Sequence, residues 1–319
     1  MIYGGVVHRA RFHNHDSLKL LHWPWSANSC GFDSTMTFFW VLYVNLKLIG
    51  DKFTLTKIAD QYPKVYEVFE EVYSGNMHNV AAKELLFSLF HVDNINWKRH
   101  NFVQTELTFG YLKTVLFVPP SNINDSLFTW RFEITWHCPS CEKCIGAPNY
   151  HSMNEIGLFN QGCTSSVDDT IQKFLNESVM KKFCHTCIVR LAIRRRTFAY
   201  PTVLHLCYFT GAHEGNGVAE LPAFLDREIQ FDGIQYTLVG ATYGNGSHFI
   251  FRYVIGSEVF EADGLQRDYD GVRSAKSVPL NEDNKISFPG EIINSSGRGR
   301  NYKINDVYYR LRPADYTSR

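Results

Sequence analysis

Phe128-Thr129-Trp130-Arg131-Phe132-Glu133-Ile134-Thr135-Trp136-His137-Cys138-Pro139-Ser140-Cys141 carries the reading of the fold. Phe128, Trp130, Phe132, Ile134 and Trp136 alternate with Thr129, Arg131, Glu133 and Thr135. That is a period of two, a strand with one buried face. The strand runs directly into a Cys-x-x-Cys pair.

On the N-terminal side the period is helical. Phe32, Met36, Phe39, Tyr43 and Leu46 recur at helix spacing across Cys30–Lys47, and Gly50 follows as a stop signal. Leu55–Tyr73, interrupted or started near Pro63, and Asn79–Phe90 read as further helices. On the C-terminal side Val167–Val179 reads as a short amphipathic helix capped by Ser166. Ile188–Phe198 and Thr202–Phe209 read as strands. From Glu228 onward the chain reads as hairpins: Asp232-Gly233 is one turn signal, Gly244-Asn245-Gly246 a second, and Gly256-Ser257 leads into Glu258–Ala262. Val307–Leu311 completes the set as a last strand. Helices first and strands later define an α+β arrangement.

Composition removes several function classes. The 319 residues are 45% hydrophobic, with 32 basic against 32 acidic side chains, so no overall field draws the chain to nucleic acid or anionic membrane. The most apolar stretch, Met36–Ile49, is broken by Asn45 and Lys47 and is too short to span a bilayer. The opening segment holds His8, His13, His15 and His22 and lacks the long apolar run of a secretory signal. The expectation is an intracellular protein, cytoplasmic or nuclear, monomeric, with neither nucleic acid nor membrane as a partner.

Four of the eight Cys form two pairs, Cys138/Cys141 and Cys184/Cys187. A two-residue gap lets both thiolates of a tight turn face one ion, and four soft ligands suit tetrahedral Zn²⁺. Cys144, His137, His151 and His185 are possible substitutes, and four free thiols are the alternative. No catalytic carboxylate stands beside the pairs, so the expected zinc is structural. Cys163 and Cys207 read as plain buried thiols. Arg194-Arg195-Arg196 reads as a solvated face.

Cys30 lies at the predicted start of a helix, where partial positive charge and free N–H groups favour thiolate and can hold an oxyanion. His248 follows a Gly-rich turn, and Asp263-Gly264 closes the next strand fifteen residues on. One hairpin can therefore set Asp263 beside His248, as the orienting partner of a triad. A surface His and an ordinary turn Asp are the bland alternatives.

Read in order, the chain resembles the ubiquitin-specific proteases, a papain-like family of deubiquitinases. Asn28-Ser29-Cys30-Gly31-Phe32-Asp33-Ser34 is similar to the family's Cys box. The two Cys pairs match those of its β-rich fingers, and the 167–177 segment matches a short helix before the second pair. Tyr200-Pro201-Thr202-Val203-Leu204-His205-Leu206 is similar to the strand after it. Tyr236–Gly240 to Ser247-His248-Phe249, then Phe260-Glu261-Ala262-Asp263-Gly264, looks like the closing box. Val307–Arg310 resembles the final strand.

The resemblance implies a papain-like fold with a helical thumb (about 1–100), zinc-bearing β fingers (about 101–200) and a β palm (about 201–319), one catalytic domain over 1–319. It implies Cys30 as nucleophile, His248 as base, Asp263 as orienter and ubiquitin or a ubiquitin-like modifier as partner. Where the family has an oxyanion Asn, five residues before the Cys, this chain has Trp25, which leaves Asn28 or backbone N–H groups for that role. Gly31 replaces the usual aromatic after the Cys, and Ser247 the usual Gly before the His. The Cys-x-x-Asp and His-Phe forms resemble the related SUMO-directed isopeptidase, so a SUMO-specific enzyme and an inactive modifier-binding member are the alternatives.

Overall fold

A computed structural model describes residues 30–90, 112, 116–117, 126–142, 144–157, 167–176, 183–208, 224–245, 248–255, 258–263, 288, 291–292 and 301–312. Asn28, Ser166, Cys163, Gly246, Gly256 and the N-terminal His residues lie outside them. Helix α1 (Cys30–Ile49) is followed by α2 (Lys52–Gln61), α3 (Pro63–Tyr73) and α4 (Asn79–Leu89). A helix that is apolar on every side must be surrounded, and α1 is: Phe32, Met36, Phe38, Trp40, Val41, Leu42 and Tyr43 are fully buried. Several of its buried polar groups are satisfied locally or by one partner. Thr35 and Thr37 donate to the carbonyls of Gly31 and Asp33 at 2.9 and 2.6 Å, and Asp33 pairs with Lys83 of α4 at 2.9 Å.

Gly50, at φ 74°, ends α1. Asp51 N–H reaches back to Leu46 O and Gly50 N–H to Lys47 O, the Schellman pattern of bonds. Asp51 then caps α2, its carboxylate accepting from Thr54 N–H at 3.0 Å and from the Thr54 hydroxyl at 2.8 Å. Pro63 is the first residue of α3, where its missing N–H costs nothing, so the break or start expected near Pro63 is the boundary between two helices.

The strands are β1 (Trp130–His137), β2 (Cys144–Met153), β3 (Ile156–Gly157), β4 (Ala192–Ala199), β5 (Val203–Cys207), β6 (Glu228–Phe231), β7 (Ile234–Gly244), β8 (Phe249–Ile255), β9 (Glu258–Ala262), β10 (Glu291–Ile292) and β11 (Tyr302–Leu311), with helix α5 (Val167–Asn176) between β3 and β4. Among the described residues they form two sheets. One has the order β2-β1-β4; the other runs β3-β5-β11-β7-β8-β9, with β6 on β7 and β10 on β11. Among the described strands only β3 and β5 pair in parallel. Asp232 and Gly233, at φ 52° and 80°, make the β6–β7 turn that two left-handed positions require.

The large sheet is covered on both faces, which is why β8 is apolar on both sides apart from Arg252. Phe251, Tyr253 and Ile255 pack with α1–α4, while Ile250 and Val254 face a second core shared with α5, Trp130 and Phe231. Phe38 of α1 stacks on Tyr308 of β11, ring centroids 4.0 Å apart. In the small sheet, Trp130 and Phe132 face that second core, and Tyr150 and Phe198 lie on the exposed side.

α1 and β8 run side by side in the same direction. Phe38 meets Phe251 at a 6.3 Å centroid distance, and Asn45 Nδ2 donates to Val254 O at 2.8 Å. From Cys30 to Asn45 a helix advances about 22 Å, and from His248 to Val254 a strand advances about 20 Å. The two elements therefore stay in step, and their N-terminal ends meet.

Candidate active site and metal centre

Cys30 is the first residue of α1, and His248 stands immediately before β8, so the matched register brings them together. Both are buried, 3% and 4% exposed, with Cys30 packed on Phe249. The Cys30 thiol is near enough to the imidazole of His248 to raise its affinity for a proton. β9 returns antiparallel to β8, with Ala262 opposite Phe251, and carries Asp263 just past its end. Asp263 Oδ1 lies 2.6 Å from His248 Nε2. That ring nitrogen is thus engaged by the carboxylate, and Nδ1 is the one left for the thiol. The order of groups is thiol, imidazole, carboxylate.

Burial is the largest influence on His248 and opposes its charged form. The bond to Asp263 and the interactions with Cys30 outweigh it, and the imidazole titrates at about 9 instead of 6.5. A ring so held retains its proton readily and has a fixed orientation. The chemistry open to such a group is to stabilise a thiolate and then pass its proton to a leaving amine.

Two neighbours were not legible as site residues. Asn245, next to the end of β7, accepts the His248 backbone N–H on Oδ1 at 2.9 Å, and its own N–H donates to His248 O at 3.2 Å. Tyr302, which opens β11, packs its ring against the imidazole. In the sequence Asn245 reads only as a turn residue, and Tyr302 lies some fifty residues from His248 in the chain. Asn28, the expected oxyanion donor, lies outside the described residues.

The two Cys pairs meet at the far end of the small sheet. β1 delivers Cys138 and Cys141; the segment before β4 delivers Cys184 and Cys187. The four Sγ atoms all lie within 4.8 Å of one another, and Cys141 and Cys184 Sγ are 3.9 Å apart. A regular tetrahedron with Zn–S of about 2.3 Å has edges of about 3.8 Å, whereas a disulfide needs about 2.05 Å. The donor set fits zinc.

The two turns are built alike. Glu142 N–H donates to Cys138 O at 2.7 Å and Ile188 N–H to Cys184 O at 2.9 Å, with Glu142 and Ile188 at φ 55° and 54°. Backbone N–H groups of Cys187 and Thr186 draw the Cys184 thiol down to about 6, while hydrogen bonding to Cys141 pushes Cys187 up to about 12. One negative charge is welcome in the cluster and the next is resisted, a conflict that a central dication removes.

Two of the alternative ligands stand apart from the cluster. His151 stacks on Phe132 at 5.2 Å, and His185 is exposed. The 42 residues between the pairs hold β2 and β3 as well as the expected helix. The strand expected from Ile188 begins at Ala192, because the preceding residues form the second Cys turn. Of the three consecutive arginines, Arg194 and Arg196 are exposed as expected. Arg195 is not: it lies over the rings of Trp130, Phe132 and Phe174 and donates to Leu175 O at 3.0 Å.

The chain thus combines a mixed helix-and-sheet body, a Cys–His–Asp cluster and a four-thiol centre. The chain shares its fold with chains of the SAGA DUB module. In the module of Ubp8, Sgf11, Sus1 and Sgf73 bound to monoubiquitin the TM-score is 0.56 at 11% identity, covering 89% of this chain and 67% of that one. With ubiquitin aldehyde bound to the module it is 0.55 at 12%, covering 89% and 68%. A further structure of the module gives 0.54 at 15%, covering 94% and 69%. At such identities the likeness is one of fold. No protein-family model and no curated protein sequence matches. Among the described residues no helix is long and apolar enough to cross a membrane.

Proposed function

We propose that this chain is a thiol isopeptidase that removes ubiquitin, or a ubiquitin-like modifier, from its conjugates. The observation that carries the reading is the convergence of Cys30, His248 and Asp263 from three separate elements, with His248 bonded to Asp263 at 2.6 Å and Cys30 beside the imidazole. The fold shared with modules bound to monoubiquitin and ubiquitin aldehyde supports ubiquitin as the first modifier to test.

The Cys30 thiolate attacks the carbonyl carbon of the modifier's C-terminal Gly, forming a C–S bond and an oxyanion. N–H groups at the start of α1 face that charge, with Asn28 as the side-chain donor. The intermediate collapses, the C–N bond to the substrate lysine breaks, and His248 protonates the leaving amine. The resulting thioester is attacked by water, whose proton His248 accepts. The C–S bond then breaks, releasing the modifier carboxylate and restoring Cys30. Asp263 keeps the imidazole oriented throughout.

The chain folds as one catalytic domain: a thumb over about 1–100, fingers over about 101–200 and a palm over about 201–319. Cys138, Cys141, Cys184 and Cys187 would hold one Zn²⁺. Four thiolate ligands would leave no position for a substrate, so the ion would supply structure and no chemistry. Fluorogenic ubiquitin and SUMO substrates, tested side by side, establish the activity and its modifier. Turnover of either that disappears in Cys30→Ala supports the reading, and turnover unaffected by that substitution removes it.

A further inference from the structure

The imidazole of His248 has an aromatic neighbour that a Cys–His–Asp series does not require. Tyr302 presents its ring edge-on to it, with centroids 6.2 Å apart and planes at 76°. The sheet brings it there. β11 pairs with β7 so that Lys303 faces Gly244, and Ile292 of β10 faces Tyr302 itself. β7 ends at Gly244, and Asn245 leads on toward His248.

Asn245 ties the two rings into one assembly. Its Oδ1 is occupied by the His248 backbone N–H. Its side chain also lies near the Tyr302 hydroxyl, and with Oδ1 already engaged the carboxamide N–H is the group that can donate to the phenol oxygen. Half-buried Tyr302 is under the influence of the negative charges of Asp263, Cys30 and Glu261. Glu261 is itself paired with Arg252 at 2.7 Å. The groups around the imidazole are thus Cys30 from α1, Asp263 from the end of β9 and Tyr302 from β11. Burial foremost, then those charges, push the phenol up to about 12, so it stays neutral near pH 7.

We infer that Tyr302 is a positioning residue for His248: its ring fixes the plane of the imidazole and screens the His248–Asp263 bond from water, and Asn245 tethers its hydroxyl. A short carboxylate–imidazole bond weakens when water competes for it, because the local dielectric rises. A neutral ring locked at its edge prevents this without adding a charge. The ring carries the function, and the hydroxyl only holds it in place.

The inference rests on the proposed isopeptidase reading for its kinetic arm, and its second arm is independent of activity. Tyr302→Phe keeps the ring; Tyr302→Leu removes it. Expected for Tyr302→Leu is a fall in kcat of about tenfold or more with KM nearly unchanged, and a displaced pH–rate profile. Tyr302→Phe should stay within about threefold of the parent. By NMR titration, the His248 pKa should move by about half a unit or more in Tyr302→Leu and hold in Tyr302→Phe.

An unmoved His248 titration in a folded Tyr302→Leu protein overturns the inference. A Tyr302→Phe protein that folds but loses about a hundredfold in kcat overturns it also, since the hydroxyl would then act directly. Should the parent turn over no modifier, the isopeptidase reading fails alone and the titration still decides the role of Tyr302.

Discussion

Asn45 Nδ2 donates to the carbonyl oxygen of Val254 at 2.8 Å, and this bond fixes the far end of the register that sets Cys30 beside His248. A slip of α1 by one turn would displace the thiol by about 5.4 Å, beyond hydrogen-bond reach of the imidazole. Asn45→Leu should destabilise the protein by about 1–2 kcal/mol, since it leaves a carbonyl without its donor. Urea denaturation measures the loss. Reactivity of Cys30 with a small alkylating agent, followed at the same pH, reports whether the far end of the pairing has moved.

His248 predicts a pH window. Its folded pKa, about 9, lies above its unfolded value of 6.5. A histidine shifted in that direction stabilises the fold through its charged form, fully below pH 6.5, and that contribution is lost as pH rises through 9. The pH-dependent contribution is at most about 3 kcal/mol. Asp263→Asn removes the stronger of its side-chain partners, so stability measured from pH 6 to 10 should fall less steeply than in the parent. An identical slope in both proteins would show that Asp263 does not hold the imidazolium.

The four-thiol centre predicts a metal content. Purified protein should carry about one zinc per chain by elemental analysis, and Cys138→Ser or Cys184→Ser should lower this and the melting temperature together. Chelation should reproduce the change in the parent.

Ile188 predicts a gain. It is a β-branched residue at φ 54°, 80% exposed, with nothing to hold it there but the turn around Cys184. Ile188→Gly relieves the left-handed strain and should raise stability by about 0.5–1 kcal/mol after glycine's entropy cost. Thermal melts of the zinc-loaded protein test it.

Gly240 predicts a loss. A Cβ there would stand 2.5 Å from the Arg252 backbone oxygen and 2.6 Å from Phe251 Cζ. Backbone cannot retreat as a side-chain tip can. Gly240→Ala should destabilise by about 1–3 kcal/mol, read from the same melts.

Much of this was legible in the residues themselves. Helical spacing from Phe32 to Leu46 located α1, alternation from Phe128 located β1, and Asp232-Gly233 located its turn. β2 escaped because Cys144–Met153 carries Gly146, Pro148 and Asn149, residues tolerated in an exposed edge strand that lacks an apolar face to betray it. Cys30, His248, Asp263 and both Cys pairs were visible through spacing and through the family resemblance. Tyr302 was not, because its contact with His248 exists only once β11 has inserted between β5 and β7. Local pattern cannot encode that pairing.

The most direct test is covalent capture. A ubiquitin whose C-terminal Gly is replaced by propargylamine forms a vinyl thioether only with a thiol placed and activated for attack at that position. The account predicts a single adduct, mapped by mass spectrometry to Cys30, absent in Cys30→Ala and strongly slowed in His248→Ala. An adduct on another cysteine, or one formed equally fast without His248, would contradict it.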